Sequence, residues 1–324
     1  MAVIFVTRKI PDSGLDALRE AGHELVISEK DGVLTPEELK EQLSARPYEG
    51  IVSLLTDTID ASVLEAAPAV KIVANYAVGY NNISVEDAVA KGVVVTNTPG
   101  VLTDTVAEYT VSLMLSVAKR IPEADRFTRA GKYDGWAPEL LLGSDLMGKT
   151  LGIVGAGRIG SGVAKRMVNG FGMKLAYYDV KQSEALESEI ECEYYAELNE
   201  LLKIADVVSV HVPLLPATQH LINAERLSLM KQSAYLINTS RGPVIDEKAL
   251  VNALQNKVIR GAGMDVFEEE PALASGLAEL DNVVITPHIA SASEETRNKM
   301  SDLVAENMIA FFKGEEPPDR KSVV

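Results

Sequence analysis

The hydrophobic positions along the chain form short β-branched runs that alternate with segments of helical period. This alternation is typical of βαβ units, in which helices join parallel strands and cover both faces of the sheet. The first series of runs lies at residues 3–7, 24–28, 50–55, 71–75 and 93–97. A second series begins at Thr150, with runs at 151–154, 174–178, 206–211, 234–238 and 283–286. The pattern therefore predicts an α/β protein with two doubly wound parallel-sheet domains.

Three helices can be placed from the same pattern. Thr35 precedes Pro36 and is followed three residues later by Glu38, which predicts a capping box at a helix start. Residues 104–120 are apolar around most of the helix circumference, so we expect this helix to be buried. The last helical pattern, 293–312, has no strand after it and should pack against the first domain. The polar tail, 314–324, is expected to fray.

Composition and charge narrow the class of protein. The 324 residues carry 47 acidic and 31 basic side chains, a formal charge of −16, which argues against nucleic acid or an anionic membrane as a partner. No apolar run approaches the length of a membrane span. Arg8 and Lys9 interrupt the first apolar run, so no signal peptide is predicted. With Cys192 as the single cysteine, we expect a cytoplasmic protein without disulfides.

A glycine motif, GAGRIG at 155–160, directly follows the first run of the second series. Gly155 and Gly157 would let the chain turn tightly, so that backbone N–H groups meet a pyrophosphate at the positive end of the next helix. Gly160 would let this helix approach the strand. The motif predicts a dinucleotide-binding βαβ unit.

The residue after the next strand indicates which dinucleotide binds. Asp179 follows the run at 174–178, where a carboxylate accepts hydrogen bonds from the adenosine ribose. A carboxylate there would repel the 2′-phosphate of NADP, so NAD is expected, with NADP disfavoured. Lys181 could partly offset that repulsion, or could be an ordinary surface lysine.

Candidate catalytic groups lie where the second series of strands ends, since open α/β sheets bind ligands at that edge. His211 and His288 occupy such positions, and Arg241 follows another strand. The three glutamates at 268–270 form a further candidate, but their spacing alone does not distinguish among them. No metal is expected at this site.

Five sequence motifs occur in order along the chain. They are NYAVGYNNI at 75–83, the glycine motif from Gly148, the stretch from Met230 to NTSRG at 238–242, DVFEEEP at 265–271 and TPHIASA at 286–292. In these motifs the chain resembles the D-isomer-specific 2-hydroxyacid dehydrogenase family over its whole length. The stretches RAGK at 129–132 and GWAP at 135–138 are most similar to its glyoxylate and hydroxypyruvate reductase branch.

The resemblance implies a catalytic set of Arg241, Glu270 and His288. A guanidinium can bind the carboxylate and ketone edge of a 2-oxoacid at two points. A protonated histidine can polarise the ketone and deliver its proton to the alkoxide, while the glutamate orients the ring. Arg241 and His288 would thus also bind the substrate.

The remaining assignments come from the same resemblance. The backbone of Val78 and Gly79 would bind the substrate carboxylate. Added to the glycine motif and Asp179, further cofactor contacts are expected at the carboxyl ends of the second series of strands, and the full set is Gly155, Gly157, Arg158, Ile159, Gly160, Asp179, Val212, Pro213, Thr239, Asp265 and Ala290. Trp136 would cover the substrate mouth, or lie in an interface or in the core.

We therefore expect an NAD-binding Rossmann domain at 99–287, inserted into a flavodoxin-like substrate domain made of 1–98 and 288–324, with a cleft between them. The expected activity is reduction of glyoxylate or hydroxypyruvate to the D-2-hydroxyacid with NADH, in a homodimer. Two alternatives remain: a dehydrogenase of another D-2-hydroxyacid or of phosphite, and a dinucleotide-sensing protein like the corepressors of the family. The phosphite enzymes carry a lysine in the loop that matches 75–79, and this loop has none.

Overall fold

Two separate parallel sheets organise the chain in the computed structural model, which describes residues 1–321. The first belongs to a unit made of Met1–Leu102 together with the segment that begins at Ala292, and the second to the unit Thr103–Ser291. The fold class is confirmed, since both units are α/β with parallel strands only. The unit bounds differ from the expected domain bounds by four residues at each crossing: 99–102, expected in the cofactor domain, lie in the first unit, and 288–291, expected in the substrate domain, lie in the second.

The first unit has a five-stranded sheet with the order β2-β1-β3-β4-β5, which is the flavodoxin order. Its elements are β1 (Val3–Val6), α1 (Asp12–Glu20), β2 (Glu24–Ile27), α2 (Pro36–Ser44), β3 (Gly50–Ser53), α3 (Ala61–Ala66), β4 (Ile72–Asn75), α4 (Val85–Ala90) and β5 (Val94–Thr96). The capping box at α2 is confirmed: the Thr35 side chain accepts from the Glu38 N–H, and the Glu38 carboxylate accepts from the Thr35 N–H.

The second unit has a seven-stranded sheet with the order β12-β11-β10-β9-β6-β7-β8. Its elements are α5 (Thr103–Ala118), α6 (Ile121–Arg129), β6 (Thr150–Val154), α7 (Arg158–Phe171), β7 (Lys174–Tyr178), α8 (Glu184–Glu187), β8 (Glu193–Tyr194), α9 (Leu198–Ile204), β9 (Val207–Val210), α10 (Ala224–Leu229), β10 (Tyr235–Asn238), α11 (Glu247–Gln255), β11 (Gly261–Met264) and β12 (Val283–Ile285). Read across the sheet, the six strands β8-β7-β6-β9-β10-β11 have the Rossmann order. β12 is a seventh strand at the edge, next to β11.

Alternate residues of the second sheet enter two different cores. Leu151, Ile153 and Ile237 face one core, whereas Val154 and Leu236 face the other. Because side chains alternate along a strand, both faces of the sheet are buried under helices. This explains why the strands read as continuous apolar runs.

The long helix α5 lies against the second sheet, and glycines provide the space for it. A Cβ on Gly263 of β11 would lie 2.8 Å from Leu113 Cγ, and one on Gly162 of α7 would lie 3.1 Å from Ala107 Cβ. Val106, Ala107, Leu113, Met114 and Val117 are buried. The expected burial of this helix is therefore confirmed.

The last helix, α12 (Glu294–Phe312), packs against α1 and β4 of the first unit, as expected. Gly14 makes this contact possible, since a Cβ there would lie 2.0 Å from the Ser301 carbonyl oxygen. The Ser301 hydroxyl accepts from the Gly14 N–H at 3.2 Å and donates to the Pro11 carbonyl at 2.7 Å. Helices from both ends of the described chain thus form one layer.

The expectation of a frayed tail is wrong for residues 314–321. The Lys321 N–H donates to the Val95 carbonyl at 2.7 Å, and Arg320 pairs with Thr96 beside β5. The Asp319 N–H donates to Asn307 Oδ1 at 3.0 Å. Backbone hydrogen bonds to a sheet edge hold this polar segment, a contact that composition does not reveal. The rest of the predicted tail, 322–324, lies outside the described residues.

Candidate functional site

The turn after β6 brings three glycines to the carboxyl edge of the second sheet. Gly155 has a left-handed φ of 98°, and a Cβ there would lie 2.9 Å from the His211 carbonyl carbon. A Cβ on Gly160 would lie 2.1 Å from the Gly155 carbonyl oxygen. Side chains at these two positions would force the turn apart, so the glycines set its geometry.

Gly157, the third glycine, faces open space. No heavy atom lies within 4 Å of the position its Cβ would take. It is the N-cap of α7, and no side chain caps this helix. Among the described residues, the N–H groups of Arg158 and Ile159 have no hydrogen-bond acceptor. Unpaired N–H groups at an open helix N-terminus fit a pyrophosphate, which the helix dipole also favours.

Asp179 lies beside this turn at the end of β7. Its Oδ2 accepts from the Ala156 N–H at 2.8 Å, and its Oδ1 accepts from the Val180 N–H at 2.7 Å. Each carboxylate oxygen has a further lone pair, which can accept a ribose hydroxyl. Asp179 thus stabilises the glycine turn by a hydrogen bond and also places a carboxylate next to that turn.

Of the two candidate histidines, His211 is the one next to the glycine turn. Burial lowers its pKa to about 3, and its Nε2 pairs with the Ser209 hydroxyl at 2.8 Å. A ring that stays neutral is unsuited to proton donation near neutral pH. Val212 packs against Gly155, and the Pro213 carbonyl accepts from the Thr218 hydroxyl. This segment therefore forms a wall of the glycine turn.

Arg241 follows β10 in a turn held by Asn238. The buried Asn238 amide donates to the Arg241 carbonyl at 2.9 Å, and its Oδ1 accepts from the Ser240 N–H. Within the same turn, the Thr239 hydroxyl bonds to the Thr110 hydroxyl of α5 at 2.8 Å. The side chains of Thr239 and Arg241 therefore rest on a rigid frame.

His288 and Glu270 form a direct pair, with 2.9 Å between His288 Nδ1 and Glu270 Oε2. Because an ionised carboxylate only accepts hydrogen bonds, Nδ1 carries a proton in this contact. Nε2 is then the ring atom available to a substrate. The other carboxylate oxygen of Glu270 accepts from the Phe267 N–H at 2.9 Å. Glu270 is thus the member of the 268–270 run that contacts His288.

The His288 backbone is fixed by the buried Asp265. His288 has a left-handed φ of 55°, which a non-glycine residue rarely adopts. Its N–H donates to the Asp265 carbonyl, and the Asp265 carboxylate accepts from the N–H groups of Ile289 and Ala290 at 2.9 and 2.8 Å. Thr286 donates to the same carboxylate at 2.7 Å. These contacts hold an unusual conformation at a candidate reactive group.

Burial and charge act against each other in this cluster. Burial lowers the pKa of the Arg241 guanidinium, while the nearby Glu270 charge raises it. For Glu270, burial alone would raise the pKa, but the hydrogen bonds from His288 and the Phe267 N–H and the charges of His288 and Arg241 together outweigh it, so the pKa falls below its ordinary value. Burial raises the pKa of Asp265 despite its hydrogen bonds. Glu270 therefore interacts electrostatically with both Arg241 and His288.

In the first unit, Val78 and Gly79 lie in a loop whose carbonyl groups are held by buried asparagines. The Asn97 amide donates to the Val78 carbonyl at 2.7 Å, and the Asn75 amide donates to the Gly79 carbonyl at 3.0 Å. Asn82 joins Asn75 to the carbonyls of Leu54 and Asp57. Within the described chain, the N–H groups of Val78 and Gly79 have no acceptor. This loop presents two N–H groups that an anion could accept.

Sequence reasoning did not assign roles to these asparagines, to Asn238 or to Thr110. Asn75 and Asn238 stand at strand ends inside recognised motifs, which was the available signal. The sequence offers no such signal for Thr110, because this residue lies within an apolar helix. The structure also excludes the core for Trp136, whose residue surface is 84% exposed.

Comparison with known proteins identifies the family. Residues 111–290 match the model of the NAD binding domain of the D-isomer specific 2-hydroxyacid dehydrogenases. A glyoxylate reductase from Korarchaeum cryptofilum is 50% identical over 318 residues, covering 98% of this chain and 94% of that protein. The chain belongs to the D-isomer specific 2-hydroxyacid dehydrogenase family.

Solved structures agree with this assignment. A Thermus thermophilus protein has a TM-score of 0.91 and 43% identity, with coverage of 98% of this chain and 99% of that one. An NADPH-dependent glyoxylate/hydroxypyruvate reductase from Sinorhizobium meliloti, solved with NADP and malonate, has a TM-score of 0.86 and 37% identity, with coverage of 99% and 96%. In the described part of the chain, no helix combines the length and the apolar character needed to cross a bilayer.

Proposed function

We propose that this protein reduces glyoxylate to glycolate, or hydroxypyruvate to its D-2-hydroxyacid, with NADH. The observation that carries the proposal is the Glu270–His288 pair, 2.9 Å apart, on the same sheet edge as the glycine turn. The relatives named glyoxylate reductase support this substrate class. The unit Thr103–Ser291 would bind the cofactor, and the other unit would contribute the substrate loop.

In the proposed binding mode, the substrate carboxylate accepts hydrogen bonds from the N–H groups of Val78 and Gly79. The Arg241 guanidinium binds the same edge of the substrate at two points. These contacts neutralise the carboxylate and fix the plane of the ketone. Malonate, a small dicarboxylate, is present in the Sinorhizobium meliloti structure, which supports an anion site in this family.

Reduction requires a proton for the carbonyl oxygen of the substrate. With Nδ1–H donated to Glu270, His288 in its imidazolium form donates a hydrogen bond from Nε2–H to that oxygen and polarises the carbonyl. The reduced nicotinamide, when bound, supplies the hydride that the carbonyl carbon accepts. As the carbon–oxygen double bond becomes single, the Nε2 proton passes to the oxygen and leaves His288 neutral. Glu270 keeps the ring in place throughout.

The cofactor residues follow from the open N-terminus of α7. The pyrophosphate would meet the N–H groups of Arg158 and Ile159, with Gly155, Gly157 and Gly160 lining the turn. Asp179 would bind the ribose, and Val212 and Pro213 would contact the adenosine. Thr239, Asp265 and Ala290 would lie on the nicotinamide side. The Asp179 charge favours NADH over NADPH.

We also propose that the protein is cytoplasmic and forms a homodimer through its cofactor-binding units. Several exposed apolar residues follow α5, namely Ile121, Tyr133, Trp136, Leu142 and Met147, and such exposure is typical of association surfaces. Light scattering on the purified protein should give twice the mass of 34.9 kDa. A monomer at micromolar concentration would refute this part.

The main test measures oxidation of NADH and, separately, NADPH with glyoxylate, hydroxypyruvate, pyruvate and phenylpyruvate. We expect turnover above about 1 per second with NADH and the two small acids. Turnover only with larger 2-oxoacids would support another dehydrogenase. Turnover below about one per minute with every acid, despite tight NADH binding, would favour a sensing protein.

Asp179→Ala tests the cofactor assignment. The variant should bring the kcat/KM values for NADH and NADPH closer together, because the charge that repels a 2′-phosphate is gone. Asp179→Asn keeps an acceptor for the Ala156 N–H and separates the charge effect from loss of that hydrogen bond. An NADH to NADPH ratio that is unchanged in both variants would remove Asp179 from the ribose site.

A further inference from the structure

A second histidine–glutamate pair lies in the second unit, and its glutamate belongs to the same run as Glu270. His220 Nε2 is 2.6 Å from Glu268 Oε1, and Glu268 stands two residues before Glu270. His220 comes from the loop after β9 and has a left-handed φ of 48°. Its N–H donates to the Pro243 carbonyl at 2.8 Å. His220 therefore ties the loop after β9 to the Arg241 turn and to the loop that carries Glu270.

Glu268 is held on its other side by the start of α11. Its N–H donates to Glu247 Oε2 at 2.9 Å, and its Oε2 accepts from the Glu247 N–H at 3.2 Å. Glu247 is 3% exposed, and its remaining oxygen accepts from the Ala274 N–H at 3.3 Å. Both the backbone and the carboxylate of Glu268 are thus fixed, and within residues 1–321 His220 is the side chain that bonds to its carboxylate.

The position of Glu268 sets the position of Glu270. Phe267, directly before Glu268, donates the N–H that Glu270 Oε1 accepts. The backbone of Phe267 also packs against Gly242, where a Cβ would lie 1.8 Å from the Phe267 carbonyl oxygen. A shift of Glu268 would move the Phe267 N–H, and with it the carboxylate that orients His288.

We propose that His220 and Glu268 are positioning residues that hold Glu270 in register with His288. This inference rests on the proposed function for its kinetic consequence, although the geometry stands without it. The two residues act through the loop backbone. A displacement of about 1 Å in such a frame can cost about 100-fold in rate, so the pair would control kcat more than cofactor binding.

The kinetic test compares His220→Ala with His220→Gln. The alanine variant should lower kcat by about tenfold or more while the KM for NADH stays within about twofold. The glutamine variant returns an N–H donor for Glu268 and should recover most of the lost kcat. Glu269→Ala, an exposed residue of the same loop, serves as the matched control and should leave kcat unchanged. An unaltered kcat in His220→Ala, or equal losses in both His220 variants, would overturn the proposal.

A second readout does not depend on turnover. In protein labelled with 15N-histidine, the His288 Nδ1–H donated to Glu270 should give a downfield proton signal, assigned by its loss in His288→Asn. We expect this signal to weaken in His220→Ala, as in Glu270→Gln, and to return in His220→Gln. A folded His220→Ala with an unchanged signal would refute the inference even if the wild type reduces glyoxylate. The expected loss, in a protein inactive on all four acids, would refute the proposed function alone.

Discussion

At the scale of single residues, Arg241 is partly buried and is proposed to bind the substrate, so its loss should be severe. Arg241→Ala should lower kcat/KM for glyoxylate by more than about 100-fold, because the substrate carboxylate loses a two-point partner. Steady-state kinetics with NADH measure the effect.

Arg241→Lys is the matched control for this prediction. It keeps the charge but not the planar fork, so it should recover only part of the activity. Full activity in the lysine variant would show that charge alone suffices. Unchanged kinetics in the alanine variant would remove Arg241 from the mechanism.

The lowered pKa of Glu270 gives a pH dependence of stability. A carboxyl group whose pKa is lower in the folded state contributes stability above its ordinary value of 4.5, and that contribution is lost as the pH falls through the folded value. Compared with Glu270→Gln, the wild type should therefore lose its advantage in free energy of unfolding as the pH falls below the ordinary pKa of 4.5 and through the lower folded-state pKa. Urea denaturation across this range measures the difference.

Glu269→Gln is the control for the pH experiment, since Glu269 lies next to Glu270 and is exposed. Its curve should run parallel to that of the wild type. If the Glu270→Gln curve is parallel as well, the ionised pair contributes nothing to stability.

Candidate site residues at strand ends were predictable from the sequence, because the carboxyl ends of parallel strands lie at one edge of the sheet. That rule selected His211 and His288 equally. Their environments separate them, since the half-buried His211 bonds to a serine hydroxyl and His288 to a carboxylate. Glu270 came from family resemblance, as spacing does not show which glutamate of a run turns inward. In the structure, the Phe267 N–H donates to Glu270 and so holds the Glu270 carboxylate in place next to His288.

At the scale of elements, two glycines of α7 allow the effect of packing on stability to be distinguished from the effect of helix propensity. Gly160→Ala should destabilise the protein by about 1–3 kcal/mol, because the new Cβ would meet the Gly155 carbonyl at 2.1 Å. Gly170→Ala in the same helix has open space around its Cβ and should stabilise by about 0.5–1 kcal/mol. Thermal denaturation of both variants checks the prediction; shifts of the same sign would contradict it.

The strand prediction worked where strands are β-branched and missed two. β8 has two residues, too few for a pattern. β11 reads Gly-Ala-Gly-Met, a composition that disfavours strands. Its glycines are required by neighbours: a Cβ on Gly261 would lie 2.7 Å from the Asn282 carbonyl oxygen, and Gly263 faces Leu113. Tertiary packing thus overrides local propensity at this strand.

At the scale of the whole molecule, Ser301 joins the two ends of the described chain. Ser301→Val should lower the free energy of unfolding by about 1–3 kcal/mol, because the buried Gly14 N–H and Pro11 carbonyl both lose their partner. Glu306→Ala, exposed on the same helix, should change it by less than about 0.5 kcal/mol. Chemical denaturation measures both; equal effects would show that the serine contacts are dispensable.

Because the first unit consists of two separate chain segments, its parts are synthesised at different times. The sheet of β1–β5 leaves the ribosome before α12, which covers one face of the sheet together with α1 and begins about 200 residues after β5 ends. At 5–20 residues per second, that interval is roughly 10–40 s. The nascent chain therefore carries an apolar sheet face without its covering helix while the inserted unit is being made. Chaperones that bind exposed apolar segments have their longest opportunity to act in this interval.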